Sequence, residues 1–274
     1  MAEFIRIDRR IFLARFSKGA LAMAVLGACA DDSSSTTRAA STTSGTTATS
    51  ASAASSTSAS GPSSTAGASS TTGAAGAAGA AEFVRIPIDF VSAYLVVRGS
   101  EAAVVDTGVT GSEGSIEAAL GNVGLDWAAV GHVILTHHHP DHVGSLSAVM
   151  DAAAQATGYI GEGDMDKVSG PRELMALAEG NQVFGLEVIG TPGHTVGHIS
   201  LFDSAASVLV AGDALNGGGS GVEGPNPQFS EDHQQALATV GKMAGVEYET
   251  LYFGHGDPVM SGPSGLVAEL AATL

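Results

Sequence analysis

Four short segments of the chain, at positions 136–142, 191–194, 211–213 and 254–256, each contain a histidine or an aspartate beside small or turn-forming residues. The first segment reads THHHPDH, and the other three contain His194, Asp213 and His255. Imidazole nitrogens combined with carboxylate oxygens form a ligand set that suits Zn²⁺, and iron or manganese can accept the same ligands. A divalent ion in such a site lowers the pKa of bound water from about 16 to about 7 and polarises carbonyl groups. The residue types therefore predict hydrolytic chemistry at a metal centre.

The first segment has the most informative spacing. In an extended loop alternate residues point the same way, so His137 and His139 can contact one ion while His138 points elsewhere. The proline that follows predicts the start of a helix, which places Asp141 and His142 in its first turn. These two side chains then face a second position, and the segment predicts ligands for two neighbouring ions.

Each of the four segments directly follows an apolar stretch that is typical of a β-strand. Predicted strands alternate with predicted helices, and this alternation is typical of an α/β fold built in layers. In open α/β sheets functional sites collect beyond the carboxyl ends of strands, which would bring the four segments together. The predicted strands are 83–88, 93–98, 102–105, 132–135, 183–189, 199–202, 208–210 and 250–253, and the predicted helices are 115–120, 142–156, 172–178, 231–244 and 266–272.

The order of these residues resembles the signature of the metallo-β-lactamase superfamily, H-x-H-x-D-H followed by a later His, an Asp and a final His. All seven positions are filled, and the resemblance extends from the VVDTG sequence at 104–108 to His255. It implies an α/β fold, the αβ/βα four-layer sandwich, with the site on one edge of the two sheets. It also implies two divalent metal ions, Zn²⁺ in the first instance, held by His137, His139 and His194 and by Asp141, His142 and His255, with Asp213 bridging both.

The implied activity is that of a metallo-hydrolase with a bridging hydroxide that attacks a carbonyl carbon. Two aspartates are the predicted catalytic residues. Asp213 bridges the ions, and Asp141 or a water molecule supplies the proton that the leaving group needs.

Three features of the resemblance bear on the bond that is cleaved. True β-lactamases of the main class use a Cys ligand, which this domain lacks, and another class has no bridging Asp. The ligand set is more similar to that of glyoxalase II-type thioesterases and lactonases, although glyoxalase II carries an added helical region where only 19 residues follow His255. The predicted target is an acyl bond, a lactone, ester or thioester, in a small molecule. The alternatives are a β-lactamase-type amide hydrolase, a mononuclear iron sulfur-oxidising dioxygenase and a non-catalytic module that binds at the cell surface.

Four further residues are candidates for supporting roles. Asp106 ends a strand and either orients a ligand histidine or forms a turn. His198 follows His194 by four residues and is a structural candidate near the ligands. The long loop 216–230, with Asn216 and Phe229, is either a lid that covers the substrate or a flexible connection. His132, His138 and His233 are not predicted as ligands.

Composition divides the chain and restricts its partners. Residues 82–274 contain 24 Asp and Glu against five Lys and Arg, and the whole chain has a formal net charge of −17. Nucleic-acid binding requires clustered positive side chains, so no nucleic-acid partner is expected. Residues 30–81 are almost entirely Ser, Thr, Ala and Gly and predict a disordered linker, whereas 82–274 predict one folded domain. The sequence gives no indication of the oligomeric state.

The first 29 residues predict export. Basic residues precede a short apolar run, as in a signal peptide, and the pair Arg9-Arg10 resembles a twin-arginine signal. The run ends in LGAC, which resembles a bacterial lipobox with Cys29 as the lipidated residue. Cys29 is the only cysteine. We therefore expect a lipoprotein anchored to the outer face of a bacterial membrane, at the cell surface or in the periplasm.

Overall fold

The computed structural model describes residues 80–219 and 221–274. The predicted signal peptide, the lipobox at Cys29 and nearly all of the predicted linker lie outside the described residues. Within the described ranges, no helix has the length and apolar character that a membrane crossing requires.

Two β-sheets form the centre of the fold. The first has six strands in chain order: β1 (Glu82–Ile88), β2 (Val91–Arg98), β3 (Glu101–Val105), β4 (Val130–Leu135), β5 (Thr157–Gly161) and β6 (Leu174–Leu177). Strands β1 to β3 pair antiparallel, and β3 to β6 pair parallel. The carboxyl ends of the parallel strands therefore meet at one edge of this sheet.

The second sheet has five strands in the order β13-β10-β9-β8-β7. Their bounds are β7 (Gln182–Val183), β8 (Leu186–Gly190), β9 (Ile199–Asp203), β10 (Val208–Val210) and β13 (Thr250–Tyr252). Strand β10 pairs parallel with β13 and antiparallel with β9. A separate hairpin joins β11 (Asn216–Gly218) to β12 (Gly221–Glu223).

The described residues form five α-helices: α1 (Glu113–Asn122), α2 (Pro140–Val143), α3 (Leu146–Ala152), α4 (His233–Met243) and α5 (Pro263–Ala271). All but the single turn α2 pack on the outer faces of the sheets. Neighbouring residues of one strand belong to different cores, because successive side chains point to opposite faces. Leu95 packs with the residues of α1 and α3, whereas Val96 packs between the two sheets. A third core lies between the second sheet and helices α4 and α5. The layers are therefore helix, sheet, sheet and helix, and the predicted αβ/βα sandwich is confirmed.

Two predicted elements are wrong. Residues 172–178 do not form a helix, because Leu174–Leu177 is the edge strand β6, paired with β5. Its two buried leucines are three residues apart, which imitates a helical period, but Leu174 and Leu177 belong to different cores on opposite faces of the sheet. The strand predicted at 183–189 is the hairpin β7–β8, because Phe184 and Gly185 both have positive φ and form a tight turn.

The helix predicted at 142–156 is interrupted. It comprises the single turn α2 and the separate helix α3. The break has a local cause: Gly144 N–H donates to Gly108 O, and Ser145 Oγ contacts Ser112 N and Val109 O. The chain between α2 and α3 is thereby tied to the loop after β3. Strand β5, which begins immediately after this region, was not among the predicted strands.

Candidate metal centre

The four His- and Asp-bearing segments meet at one edge of the two sheets. The first follows β4, the second lies between β8 and β9, the third follows β10 and the fourth follows β13. All seven predicted ligands belong to one cluster of three overlapping groups, in each of which the ligand atoms lie within 4.8 Å of one another. The groups are His137, His139 and His194; His137, His142 and Asp213; and Asp141, His142 and His255.

The first group consists of three histidines. Nε2 of His194 lies 2.9 Å from Nδ1 of His139, and the ring of His137 is 4.7 Å from each of the other two rings. His138 points away from them, with its Nδ1 3.0 Å from Asp164 Oδ2. This is the alternation that an extended loop predicts for residues 137–139.

Asp213 lies between the two outer groups. Its Oδ2 is 3.4 Å from His194 Nε2 and 3.2 Å from His255 Nε2, and its Oδ1 is 3.4 Å from His142 Nε2. Asp141 Oδ2 lies 3.3 Å from His255 Nε2. One carboxylate therefore contacts histidines of both groups.

Hydrogen bonds fix which nitrogen of three histidines faces the centre. Thr136 Oγ1 donates its only proton to Asp106 Oδ2 at 2.8 Å, so it accepts from Nδ1 of His137 at 3.0 Å. Nδ1 of His142 donates to Asp106 Oδ2 at 2.8 Å, and Nδ1 of His255 donates to the Phe90 carbonyl at 2.8 Å. Nδ1 carries the proton in each case, which leaves Nε2 as the ligand atom.

The cluster has the properties of a divalent-metal site. His137 Nε2, His142 Nε2 and Asp213 Oδ1 are buried without a hydrogen-bond partner. Buried polar atoms are normally satisfied, so three convergent atoms without a protein partner indicate a position that binds a ligand. Their donor set of imidazole nitrogen and carboxylate oxygen suits Zn²⁺ and other first-row ions.

Asp106 is both a turn residue and a residue that orients a ligand histidine, the two roles that the sequence left open. Its backbone has φ 58°, as a turn residue would, and its carboxylate accepts from Thr136 N–H at 2.8 Å as well as from His142. His198 is fully buried and contacts the centre through the backbone, because its Nε2 accepts from Asp213 N–H at 3.0 Å. Nδ1 of His198 donates to Thr191 Oγ1 at 2.8 Å, so His198 connects the Asp213 turn to the segment that leads to His194.

Position 254 requires glycine because its backbone lies close to two ligand side chains. A Cβ at Gly254 would overlap Asp213 Oδ1 and approach His142 Cε1. A larger residue would displace both side chains.

Asp164 was not predicted from the sequence, although it connects two ligand-bearing loops. It is fully buried, and its carboxylate accepts from Thr195 Oγ1 at 2.6 Å and from Gly197 N–H at 2.9 Å. It also contacts the backbone N–H and Nδ1 of His138. Burial alone would raise its pKa, but these hydrogen bonds outweigh burial and lower the pKa. Asp164 therefore holds the loop of His137 and His139 against the loop of His194.

We expect Asp164→Ala to weaken the first histidine group. Its buried donors would lose their acceptor, which should lower the free energy of unfolding by about 1–3 kcal/mol and reduce Zn²⁺ affinity by roughly tenfold. Urea unfolding and competitive zinc titration measure the two effects. Asp166→Ala, an exposed aspartate on the same short 3₁₀ helix (Glu162–Lys167), is the matched control. Equal zinc affinity in both variants would contradict this role for Asp164.

The two outer groups, His137 with His139 and His194 and Asp141 with His142 and His255, differ in protonation in the absence of metal. Burial lowers the pKa of His194 to about 4 and lowers that of His137 well below its usual value. Burial also opposes protonation of His255, yet the carboxylates of Asp141 and Asp213 outweigh it and raise the pKa of His255 to about 10. The pKa of His142 is likewise raised against burial, by the charges of Asp213 and Asp106.

Metal binding should therefore release protons mainly from the group of Asp141, His142 and His255. Metal ligands bind as neutral imidazoles, so an ion at this position displaces the proton of His255 at pH 7.5 and adds a release from His142, whose pKa is also raised, whereas His137 and His194 are already neutral. Affinity for this ion should rise with pH up to about 10, the folded pKa of His255. The stability of the metal-free protein should change in the opposite sense: protonated His255 stabilises the fold below its ordinary pKa, and this contribution is lost as pH rises through about 10. Calorimetric titration in buffers of different ionisation enthalpy measures the released protons, and equal release at both positions would contradict the assignment.

A cavity of about 920 Å³ opens onto the cluster. Phe90, Val109 and Phe229 provide apolar surface, and His139, Asp141, Asp213 and His255 lie on its floor.

The predicted loop 216–230 begins with the β11–β12 hairpin, where Asn216 Nδ2 donates to Gly224 O at 3.0 Å. Asn216 and Phe229 both line the cavity, so this loop forms part of its wall.

The three histidines not predicted as ligands lie outside the groups. His132 is on β4 with Nδ1 3.3 Å from Tyr159 Oη, His233 is the first residue of α4, and His138 faces Asp164. Sequence analysis missed Thr136, Phe90 and Asp164, which orient the ligands. Thr136 is adjacent to His137 in the motif, but no local pattern marks Phe90 or Asp164.

Comparisons with known proteins agree with the fold and the cluster. The family model described as the metallo-beta-lactamase superfamily matches residues 86–255. The uncharacterized protein YobT of Bacillus subtilis is 30% identical over 61% of this chain and 83% of its own length. A hydroxyacylglutathione hydrolase of Alkalilimnicola ehrlichii is 37% identical over 56% of each chain. The crystal structure of the metallo-beta-lactamase family protein TTHA1429 from Thermus thermophilus superimposes with a TM-score of 0.58 at 24% identity, over 70% of this chain and 78% of that one.

The match of the family model includes β4, the segments after β8 and β10 that contain His194 and Asp213, and the final ligand candidate His255. The chain spans just over half of the length of the curated hydrolase that it matches. The solved structure shares the layered fold. On the match to the family model, the sandwich and the seven-residue cluster, the chain belongs to the metallo-β-lactamase superfamily.

Proposed function

We propose that this chain binds two zinc ions in the cluster and hydrolyses an acyl bond, a lactone, ester or thioester, in a small molecule. The coarser statement, that it is a metallo-hydrolase of the metallo-β-lactamase fold, follows from its family, its relatives and its His/Asp groups. The observation that carries the finer proposal is the position of Asp213 between two histidine groups, with oxygens 3.2–3.4 Å from ligand nitrogens of both.

Each ligand residue has a defined task in this proposal. His137, His139 and His194 would hold one ion, and Asp141, His142 and His255 the other. Asp213 would contact both, while Asp106 and the Phe90 carbonyl keep His142 and His255 in the tautomer with free Nε2. When bound, the ions lower the pKa of water and polarise a carbonyl group.

Asp141 is the proposed proton carrier. It lines the cavity, and its side chain is 24% exposed, so it can reach a substrate. Burial would raise its pKa, but contact with His255 outweighs burial and lowers it, which keeps Asp141 ionised at neutral pH. An ionised carboxylate can accept the proton of the attacking water and return it to the leaving group, and a water molecule is the other candidate donor.

Metal content and substrate preference together test the proposal. We would purify the full chain, count its metals by mass spectrometry and assay lactone, ester, thioester, β-lactam and phosphodiester substrates before and after chelation. Two zinc ions with chelator-sensitive acyl hydrolysis would support the proposal. Preference for β-lactams would replace the acyl assignment with amide hydrolysis. One iron with oxygen uptake would replace hydrolysis with sulfur oxidation, and two metals without turnover of any substrate would favour a binding module.

Export and lipid anchoring are proposed from the sequence alone. Arg9, Arg10 and Cys29 support a twin-arginine lipoprotein held at the outer face of a membrane. Cell fractionation of the full chain tests this, with Cys29→Ser and paired Arg→Lys variants at positions 9 and 10. Wild-type protein in the soluble cytoplasmic fraction would contradict the proposal.

A further inference from the structure

The cavity above the cluster has an apolar mouth. Phe90 and Phe229 line it with 65% and 62% of their surface exposed, although large apolar side chains are usually buried. Val109 lies in the same wall. An exposed apolar wall next to a reactive centre indicates a surface that apolar substrate atoms cover.

Positive charge is absent from this wall in the described part of the chain. The five Lys and Arg residues after position 81 are all engaged elsewhere, and none of them lines the cavity. Their partners are Asp257 and Gly256 O for Arg85, Asp203 and Phe184 O for Arg98, Glu231 for Lys167, Ala153 O and Ala156 O for Arg172, and Glu179 and Gly190 O for Lys242.

The remaining polar groups of the wall are neutral. They are Thr110, Asn216 and Asn226, and two of them are already used within the loop. Asn216 Nδ2 donates to Gly224 O, and Asn226 Oδ1 accepts from Gln228 N–H. A substrate carboxylate away from the metal cluster would therefore lose water without gaining a charged partner, which is unfavourable.

We infer that the substrate is an uncharged acyl compound whose apolar chain lies against Phe90 and Phe229, and that carboxylate-bearing acyl compounds are discriminated against. The inference rests on the proposed acyl hydrolysis and narrows its substrate class. It disfavours glutathione thioesters, which carry carboxylates in the leaving group, and favours neutral lactones, esters and thioesters with aliphatic chains.

Phe90 has two separable functions in this arrangement. Its backbone carbonyl accepts from His255 Nδ1, while its ring stacks on the His255 ring with centroids 5.8 Å apart and planes 6° from parallel. Phe90→Ala removes the ring and retains the carbonyl. Because ring removal also ends the stacking on His255, the apolar contact is measured from the ratio of kcat/KM between long and short acyl chains, to which a change at His255 contributes equally.

A pair of thioesters that differ in one charged group tests the charge discrimination. The substrates are octanoyl thioesters of N-succinylcysteamine and of its terminal carboxamide, which place the carboxylate or amide several bonds from the reacting carbonyl. We expect the metal-loaded full chain to prefer the carboxamide by about tenfold in kcat/KM. Thr110→Lys should reduce this preference, and Thr110→Gln, a neutral side chain of similar length, is the control. An equal or greater rate with the carboxylate in the wild-type protein would overturn the inference.

Acyl chain length tests the apolar wall. Phe90→Ala and Phe229→Ala should each reduce the octanoyl-to-acetyl ratio of kcat/KM by about tenfold, the loss expected when roughly two methylene groups are no longer buried. Met175→Ala, an exposed methionine on the edge strand β6 and outside this cavity, is the matched control. An unchanged ratio in both phenylalanine variants would overturn the inference.

A binding measurement separates failure of this inference from failure of the proposed function. Calorimetric titration with the two ketones, in which CH₂ replaces the thioester sulfur, requires no turnover. Tighter binding of the carboxamide ketone supports the inference even if no substrate is hydrolysed. The absence of hydrolysis would then reject the proposed acyl hydrolase activity but not the inference about charge. Equal or tighter binding of the carboxylate ketone overturns the inference. In that case the proposed function still stands if either thioester is hydrolysed.

Discussion

Replacing Asp213 with alanine is expected to lower kcat/KM by about 10³-fold or more, a loss of roughly 4 kcal/mol of transition-state stabilisation, and to remove at least one metal ion. Its two oxygens face ligand nitrogens of both groups. Burial would raise the pKa of Asp213, yet His142 and the other neighbouring histidines outweigh it and hold the pKa well below its usual value. The carboxylate is therefore ionised at every pH at which the protein would work.

The variants separate the charge of Asp213 from its shape. Asp213→Asn retains the volume and one oxygen, so it should bind metal better than Asp213→Ala but less well than the wild-type protein. Asp151→Ala, an exposed aspartate on α3, controls for the loss of one negative charge. Metal content by mass spectrometry and initial rates on the best acyl substrate give the readout. Two bound ions together with full activity in Asp213→Ala would refute the bridged centre.

The sequence predicts the metal ligands more completely than the residues that orient them or the edge strands, for physical reasons. The ligand residues lie at strand ends, and the chemistry of each is carried by its own type and by the residues beside it. The spacing of His137, His138 and His139 therefore predicts which side chains share a direction, and the structure places them accordingly. Convergence of four distant segments followed from the layered fold, which places strand ends at a common edge.

The orienting residues could not be predicted in this way. Asp164 reaches His138 and Thr195 only because the short helix after β5 packs against two loops, and nothing near it in sequence marks that contact. The Phe90 carbonyl contacts His255 across 165 positions of the chain. Edge strands are ambiguous for a related reason: β6 is recognised by its pairing with β5, whereas its buried leucines alone imitate a helix.

A similar distinction applies to specificity. The motif predicts ligands and hydrolysis, whereas the apolar mouth depends on where Phe90 and Phe229 lie relative to them. These residues are 139 positions apart in the sequence, and their shared cavity forms only in the folded chain. The charge count of the domain predicts that nucleic acid is not a partner, but the proposed discrimination against carboxylates also requires the observed partner of each positive side chain.

Asp106 is expected to show the second largest effect, on metal binding more than on folding. Its carboxylate accepts from His142 Nδ1, Thr136 Oγ1 and Thr136 N–H, so its removal frees the imidazole that faces the second position. Loss of such an orienting carboxylate typically costs 10–100-fold in metal affinity or activity, and we expect about this loss of Zn²⁺ affinity at the second position in Asp106→Ala.

Backbone strain at position 106 must be separated from the loss of the carboxylate. With φ 58°, alanine at this position is strained, whereas glycine and asparagine tolerate the conformation. Asp106→Gly should therefore lose metal affinity as Asp106→Ala does while remaining more stable to urea, and Asp106→Asn should retain part of both. Asp89→Ala, at an exposed position with φ 51°, reports the unfolding cost of alanine in this conformation. If Asp106→Gly bound two zinc ions with wild-type affinity, the conformation of this residue, and not its contact with His142, would be what the centre requires.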